Sequence, residues 1–331
     1  MPTPKFSLNK SALNLVNELI NDPDKFGVSV ETLDSGGMLI DTGVSARGGF
    51  RAGVMVTEIC LAGYGNASIT PVQYGDLVFP SVFVTTDYPA LSALGSQFAG
   101  WQINGKDYSA LASGPARALS LKPKDVYVRL QYKEESEVAV LALETERKPP
   151  DDVIQEVANM CGVLAKNLYI VMFSANSLTG VTQASGRIVE TGLHKLWRVG
   201  LDPLVVKHAW GYAPIMPLQL NLTEAAGKSS DAILFGGVAD FMVVHDDDEK
   251  LRIMVGQASA SGSKMFQEAK KLSEQNWRFQ EVFKETGVEA HQVDANTFAP
   301  AVVMVNNLRT GKSFSSGNLD IEAIRQSFGI A

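Results

Sequence analysis

The chain has 331 residues, 45% of them hydrophobic and 20% charged, enough to bury a substantial core and, at ordinary domain sizes, to form two domains rather than one. A formal net charge of −7 and an isoelectric point near 5.2 argue against a general nucleic-acid binder, which needs a concentrated basic face. They leave room for local basic pockets that take an anionic small molecule. No stretch reaches the roughly 18 uninterrupted apolar residues of a membrane span, and the opening MPTPKFSLNKSALNLVNELI carries Asn and Glu inside its apolar run, unlike a signal peptide. A soluble protein in the cytoplasm, away from membranes, is therefore expected.

The first helix is expected to run from Ser7 or Asn9 to the stop NDPD, Asn21 to Asp24. GVSVETLDSGGMLIDTGV alternates about Val28 and Val30, turns through Asp34 to Gly37 and returns through Met38 and Ile40, the pattern of a hairpin. Asn104-Gly105 supplies a second hairpin turn, of type I′. EVAVLALET reads as a buried strand, and KPPDDVIQEVANMCGV as a loop, an N-cap at Asp151 or Asp152, and a helix. NLYIVMFSA is another strand and runs into NSLTGVTQASG, a small polar loop at a strand end, where sites are commonly built.

DAILFGGVADFMVVHDDDEKLRIMV reads as a strand followed by a hairpin whose acidic tip, Asp246 to Glu249, sits in solvent. SKMFQEAKKLSEQNWRFQEVFKETG is a long helix ending at Gly287, AVVMVNNLRTGKSFSSG a last hairpin, and LDIEAIRQSF a further helix. Helices alternating irregularly with hairpins imply mixed sheets, hence a mixed α/β (α+β) class. The RKPP stretch, Arg147 to Pro150, is the place for a domain boundary, dividing the chain into an N-terminal α/β domain 1–148 and a C-terminal α/β domain 149–331, although an ordinary connecting loop reads the same way.

Several fragments imitate known chemistry and fail on spacing. GKS occurs at Gly227 to Ser229 and at Gly311 to Ser313, but the first glycine of a phosphate-cradling GxxxxGK[ST] loop would be Leu222 or Asn306. GYGNAS, Gly63 to Ser68, lacks the third glycine of a dinucleotide fingerprint and reads as a tight loop. Ser261 and Lys264 match SxxK without the companion motifs of an acyl-enzyme serine; a helix start there offers capping or an anion site. Cys60 and Cys161 lie in apolar segments with no CxxC pairing, so buried free thiols are expected. His194, His208, His245 and His291 are scattered, with no ligand-spaced partner, so no metal site is expected.

SGRIVETGLHKLWRVG, residues 185 to 200, is an amphipathic helix. At about 100° per residue, Ile188, Val189, Leu193, Leu196, Trp197 and Val199 fall on one side, and Arg187, Glu190, His194 and Arg198 share a strip opposite. Charges three apart face each other. Helical spacing alone leaves two readings open, a solvated salt-bridged face or one wall of a reaction pocket.

Taken in order, GGFRAGVMVTEICLAGYG, ASGPARAL, EVAVLALET, SANSLTGVTQASGRIVETGLHKL, YAPIMP and DAILFGG closely resemble the methenyltetrahydromethanopterin cyclohydrolase family, over almost the whole chain. The most specific part is Arg187-x-x-Glu190. The segments are more similar to the bacterial, methylotroph-like, formaldehyde-oxidising branch than to the methanogen one, which implies a dephosphorylated carrier. The resemblance favours the pocket reading and implies two α/β domains enclosing a pocket, a cytoplasmic homotrimer, and a tetrahydromethanopterin-type C1 carrier as substrate, with no prosthetic group and no metal. The implied reaction is reversible hydrolysis of the N5,N10-methenyl bridge to the N5-formyl carrier. A methenyl bridge is an amidinium-like cation whose carbon is already electrophilic, so the protein has to place a water, take its proton and break the bond to N10.

The family implies that Glu190 is the general base and that Arg187, one turn earlier, orients it and keeps it ionised, since a neighbouring positive charge lowers a carboxylic acid's pKa. Only these two roles are carried over from the family; further candidate pocket contacts, read from the residues, are His194, also readable as a structural histidine; Ser113 and Arg117 in ASGPARAL, where a turn plus a surface arginine is the plain alternative; Gln183 in NSLTGVTQASG; and Glu58, either paired for stability or a polar pocket member. Gly186, and the bulky Trp210 and Tyr212 in AWGYAPIMP, depart from the expected pattern and are expected to alter the pocket's shape. A non-catalytic binding protein for the same pterin carrier would keep the fold, but binding a cation needs no arginine beside the acid. An unrelated oligomeric scaffold would leave the charged strip facing solvent.

Overall fold

The computed structural model describes residues 7–263, 278–279, 281–282 and 297–330, and the long helix expected to end at Gly287 lies almost wholly outside them. Two compact units form, each from two stretches of chain: 1–66 with 90–183, and 67–89 with 184–331. Arg147 to Pro150 falls within the first unit, between a strand and a helix. Among the described residues no helix is long and apolar enough to cross a membrane.

In the first unit α1 (Leu8–Asn21) begins at its N-cap Ser7, whose side chain accepts the Lys10 N–H. Glu134, 127 residues on, completes the cap by accepting from the Ser7 hydroxyl and the Leu8 N–H. After the short α2 (Pro23–Phe26), β1 (Ser29–Thr32) and β2 (Met38–Asp41) pair as the expected hairpin, and α3 (Phe50–Cys60) follows. The chain then makes β3 (Gly65–Tyr74) and β4 (Leu77–Thr86), which lie in the second unit's sheet. It returns through a π-helix, Ala90–Gln97, to β5 (Trp101–Asn104) and β6 (Ser109–Ser113).

The hairpin expected at Asn104-Gly105 is present with a different turn. Asn104 pairs with Ser109 as the last residue of β5 and the Gly105 N–H donates to the Tyr108 carbonyl, so the chain turns over Lys106 and Asp107 and not at Asn104-Gly105. α4 (Ala116–Ser120), α5 (Lys124–Leu130), β7 (Ala139–Glu144), α6 (Asp151–Cys161), β8 (Leu168–Phe173) and α7 (Leu178–Ser185) complete this part of the chain. Pro150 takes the N-cap position of α6, and Asp151 and Asp152 sit in its first turn, where carboxylates favour the positive helix end.

The sheet runs β1-β2-β8-β7-β6-β5, with a parallel centre of β2, β8 and β7. One face packs Leu39, Leu141, Leu143, Ile170 and Met172 with α6 residues such as Ile154; the other packs Ile40, Val140, Ala142, Val171 and Phe173 with α1 and α3. Such two-sided burial gives parallel strands their continuous apolar runs. Both cysteines are buried and neither forms a disulfide, and burial pushes the Cys161 thiol up to about 12.

NSLTGVTQASG is mostly helix, not loop. The Ser177 hydroxyl accepts the Gly180 N–H at the start of α7, and a Cβ on Gly53 of α3 would stand 2.4 Å from the Thr182 Cβ. The small residues that look like a loop serve a close approach of two helices. GYGNAS is likewise only partly a turn, because β3 already begins at Gly65.

In the second unit α8 (Ile188–Arg198) is followed by β9 (Val206–Pro214), α9 (Leu222–Gly236), β10 (Val238–Val243), α10 (Asp248–Gly256), β11 (Val302–Asn307), β12 (Ser313–Gly317) and α11 (Ile321–Phe328). The sheet order is β12-β11-β10-β9-β4-β3, with β10 and β11 parallel and β9 antiparallel to both β10 and β4. DAILFG therefore ends a helix instead of forming a strand; a short apolar run does not distinguish the two by itself. Nor does HDDDEK turn a hairpin. Asp247 caps α10 by accepting the Lys250 N–H at 2.9 Å, and Asp248 and Glu249 occupy the first turn, favourable at the positive end of the helix. The last hairpin and the helix after it stand as expected.

Candidate active site

Arg187 occupies the N-cap position of α8, and its carbonyl accepts the Thr191 N–H at 2.9 Å. Glu190 lies in the first turn, with its Oε2 3.8 Å from the Arg187 Nη1. The two side chains are 9% and 15% exposed respectively. The strip that helical spacing sets opposite the apolar side is covered. Glu190 and His194 are 7% and 6% exposed, Thr191 and Lys195 are buried with them, and the helix reaches solvent only near Arg198. A solvated salt-bridged face is not what forms.

The local sequence explains how α8 comes to lie so deep. Ile188 packs into the space left by two glycines: a Cβ on Gly211 would stand 3.1 Å from its Cγ1, and one on Gly237 2.6 Å from its Cδ1. Gly192 lets the next turn approach Phe241 and Ala239 of β10. His194 meets Trp197 edge to face at 6.2 Å, and the Lys195 Nζ donates to the Ser263 hydroxyl at 2.9 Å. Burying an acid and a guanidinium is costly, and mutual attraction and hydrogen bonding must offset their lost hydration. A carboxylate in the first turn also sits at the positive end of the helix. Chemically, such an acid can hold a water and take its proton.

The other expected residues are placed as follows. Arg117 is not a surface arginine: it is fully buried in the first unit, donating from Nε to the Lys122 carbonyl at 2.8 Å and from Nη1 to those of Leu94 and Ser96 at 3.2 and 3.0 Å. Its guanidinium also stacks near Phe98 and Tyr127. The buried Ser113 donates to the Gln97 carbonyl at 2.6 Å. Arg117 and Ser113 thus clasp the π-helix, whose widened turns leave carbonyls to satisfy. Glu58 is half-buried on α3, and Gln183 is buried on α7. Trp210 and Tyr212, expected to reshape the pocket, stack on each other with Gly211 between them facing Ile188. Strand alternation therefore turns both rings away from α8.

Sequence reasoning passes over the burial of two lysines of this unit, Lys195 and Lys228. Lysine in a helix reads as solvated, so neither carries a local signal. The GKS containing Lys228 lies inside α9, where no phosphate-cradling loop can form.

Two mixed α/β units, with a largely covered acid–guanidinium pair at the start of a helix, define the protein's class, a two-unit α/β protein. A family model described as Cyclohydrolase (MCH) matches residues 7–328. The methenyltetrahydromethanopterin cyclohydrolase of Methanothermobacter marburgensis is 37% identical over 98% of this chain and 99% of its own length. Those of Methanococcoides burtonii and Methanocaldococcus jannaschii are each 35% identical over 98% of both chains. The chain belongs to the methenyltetrahydromethanopterin cyclohydrolase family.

Proposed function

We propose that this protein hydrolyses, reversibly, the N5,N10-methenyl bridge of a tetrahydromethanopterin carrier to the N5-formyl derivative. The observation that carries the reading is the Arg187–Glu190 pair, 3.8 Å apart and buried at the start of α8, in a chain of this family. Glu190 holds a water against the methenyl carbon and takes its proton as the carbon–oxygen bond forms. The bond from that carbon to N10 then breaks as the hydroxyl on the carbon loses its proton and becomes the formyl C=O; of the two protons the water brought, N10 keeps one and the other is released to solvent. Glu190 is also the complement of the substrate's positive charge, which only a carboxylate of that sign supplies. Arg187 is a positioning residue: its guanidinium stays protonated and fixes the orientation of the acid, a requirement that binding a cation does not impose. His194, buried one turn further along α8, is a polar contact in the same reading. So are the dephosphorylated carrier, a cytoplasmic homotrimer and a reaction without a prosthetic group, which rest on family likeness.

The test is loss of the methenyl cation's absorbance on mixing carrier with protein, wild type against Glu190→Gln. The variant keeps shape but removes both the base and the counter-charge, so turnover falls by about 10²- to 10⁴-fold while affinity weakens by a smaller factor. Unchanged turnover removes Glu190 from the reaction. A wild type that binds the carrier without consuming it makes the protein a carrier-binding protein.

A further inference from the structure

Arg187 and Glu190 take the N-cap and N3 positions of α8, the two places that a capping box gives to serine or threonine and to glutamate. A guanidinium has no acceptor atom, so Arg187 cannot take up an N–H of the first turn as an ordinary N-cap side chain does. Its own N–H, which the glutamate of a capping box would take, donates to the Ala184 carbonyl at 3.1 Å. The acid and the guanidinium thus occupy the positions that otherwise fix a helix start.

A hydroxyl two residues upstream supplies the anchor. Ser185, the last residue of α7, is 1% exposed, and its Oγ donates to the Pro214 carbonyl at 2.8 Å. Both residues belong to the second unit. Pro214 is a rigid acceptor. It ends β9 opposite Ser81 of β4, its ring fixes φ, and a Cβ on Gly236 would stand 2.8 Å from its Cγ. The next residue, Ile215, donates its N–H to the Pro80 carbonyl at 2.8 Å. One hydrogen bond therefore ties the corner between α7 and α8 to the end of an interior strand. Between Ser185 and Arg187 lies only Gly186, a residue with a wide choice of backbone angles, so the tie and not the link sets the corner. On the other side of Arg187, Ile188 sits against Gly211 and Gly237. The N-cap residue is held from before and from behind.

We infer that Ser185 is a positioning residue for the hydrolysis: its bond to the Pro214 carbonyl sets where the Arg187 guanidinium stands beside Glu190, and so how the acid is aimed. This rests on the reading in the preceding subsection. Ser185 acts through Arg187 and has no part in the bond changes. A hydroxyl buried for stability alone would leave the titration of Glu190 where it is, and the two roles separate on that point.

Steady-state kinetics over pH with the methenyl carrier, below the unfolding transition of each protein, test this on wild type, Ser185→Ala, Arg187→Gln and the double variant. Misplacing a reacting group by about 1 Å costs up to about 10²-fold, so Ser185→Ala lowers kcat about 10- to 100-fold, while KM changes by about twofold or less. The acidic limb of its kcat profile moves to higher pH, because a guanidinium held less closely lowers the acid's pKa less. In the Arg187→Gln background Ser185→Ala changes kcat little, the non-additivity of two residues that act as one. An unchanged kcat or an unmoved limb in Ser185→Ala, or losses that multiply in the double variant, overturns the inference. Should the alanine variant fail to fold, Ser185→Cys takes its place in the same cycle, since it keeps the shape and offers only a weak donor, and the same outcomes decide. Failure of the hydrolase reading looks different, because the wild type itself then leaves the methenyl carrier intact.

Discussion

Gly192 of α8 lies against the ring of Phe241 in β10, so close that a Cβ built on the glycine would stand 2.8 Å from Cζ and 3.0 Å from Cε2. Phe241 is fully buried, so the ring has no free space to swing into. A glycine inside a helix costs up to about 1 kcal/mol relative to alanine, and here it is the condition for seating the helix on the sheet. The Gly192→Ala variant therefore loses stability despite its better helix propensity, by about 1–3 kcal/mol from overpacking. Because Glu190 sits half a turn away, kcat falls as well. Thermal unfolding and turnover together check this; a variant that is stabilised and fully active would show that the contact does not set the helix's position.

Lys195 and Ser263 test burial without chemistry. Ser263→Ala removes an acceptor from a buried ammonium, and hydrogen bonds to charged groups contribute about 1.5–3 kcal/mol. The denaturation midpoint drops accordingly, while kcat below the transition stays at the wild-type level. A fall in kcat without a fall in stability would move Lys195 into the reaction.

Arg117 separates a structural clasp from a ligand contact. Its three carbonyl acceptors sit on two chain segments, Leu94 with Ser96 and Lys122, and lysine cannot reproduce that fork. Arg117→Lys is expected to cost about 3 kcal/mol or more, since buried carbonyls lose their donors. Urea unfolding measures it. A variant of normal stability with a raised KM would restore the ligand role.

How much of this the sequence discloses depends on the range of the forces involved. The start of α1 at Ser7, the β1–β2 and β11–β12 hairpins, and Arg187 beside Glu190 are local, and each is legible from turn chemistry, capping or helical spacing. Burial of the Glu190 strip is not, because spacing gives the angle between residues on a helix and says nothing about what covers either side. α7 looks like a loop because its small residues are chosen by contact with α3, Gly53 against Thr182, and not by helix propensity. The same limit hides the transfer of β3 and β4 to the second sheet, the capping of α1 by Glu134 and the burial of Lys228.

Asp240 supplies a prediction in pH. It sits in β10 between Trp210 and Met304 on the neighbouring strands, and its Oδ1 is sealed without a hydrogen-bond partner among the described residues. Burial raises its pKa above the ordinary 3.8. For an acid the sign is fixed: between 3.8 and the raised value the folded chain holds a proton that the unfolded chain has lost, so stability falls as pH rises through that window and stays lower above it. Asp240→Asn removes the charge and with it the penalty. The variant should therefore melt higher than wild type at pH 7, and the difference should shrink as pH falls toward about 4, where the unfolded carboxyl also begins to hold its proton. Melting curves of the two proteins at several pH values decide it: a gap that does not change with pH, or a wild type that melts higher at pH 7, would mean that the sheet already compensates the buried carboxylate.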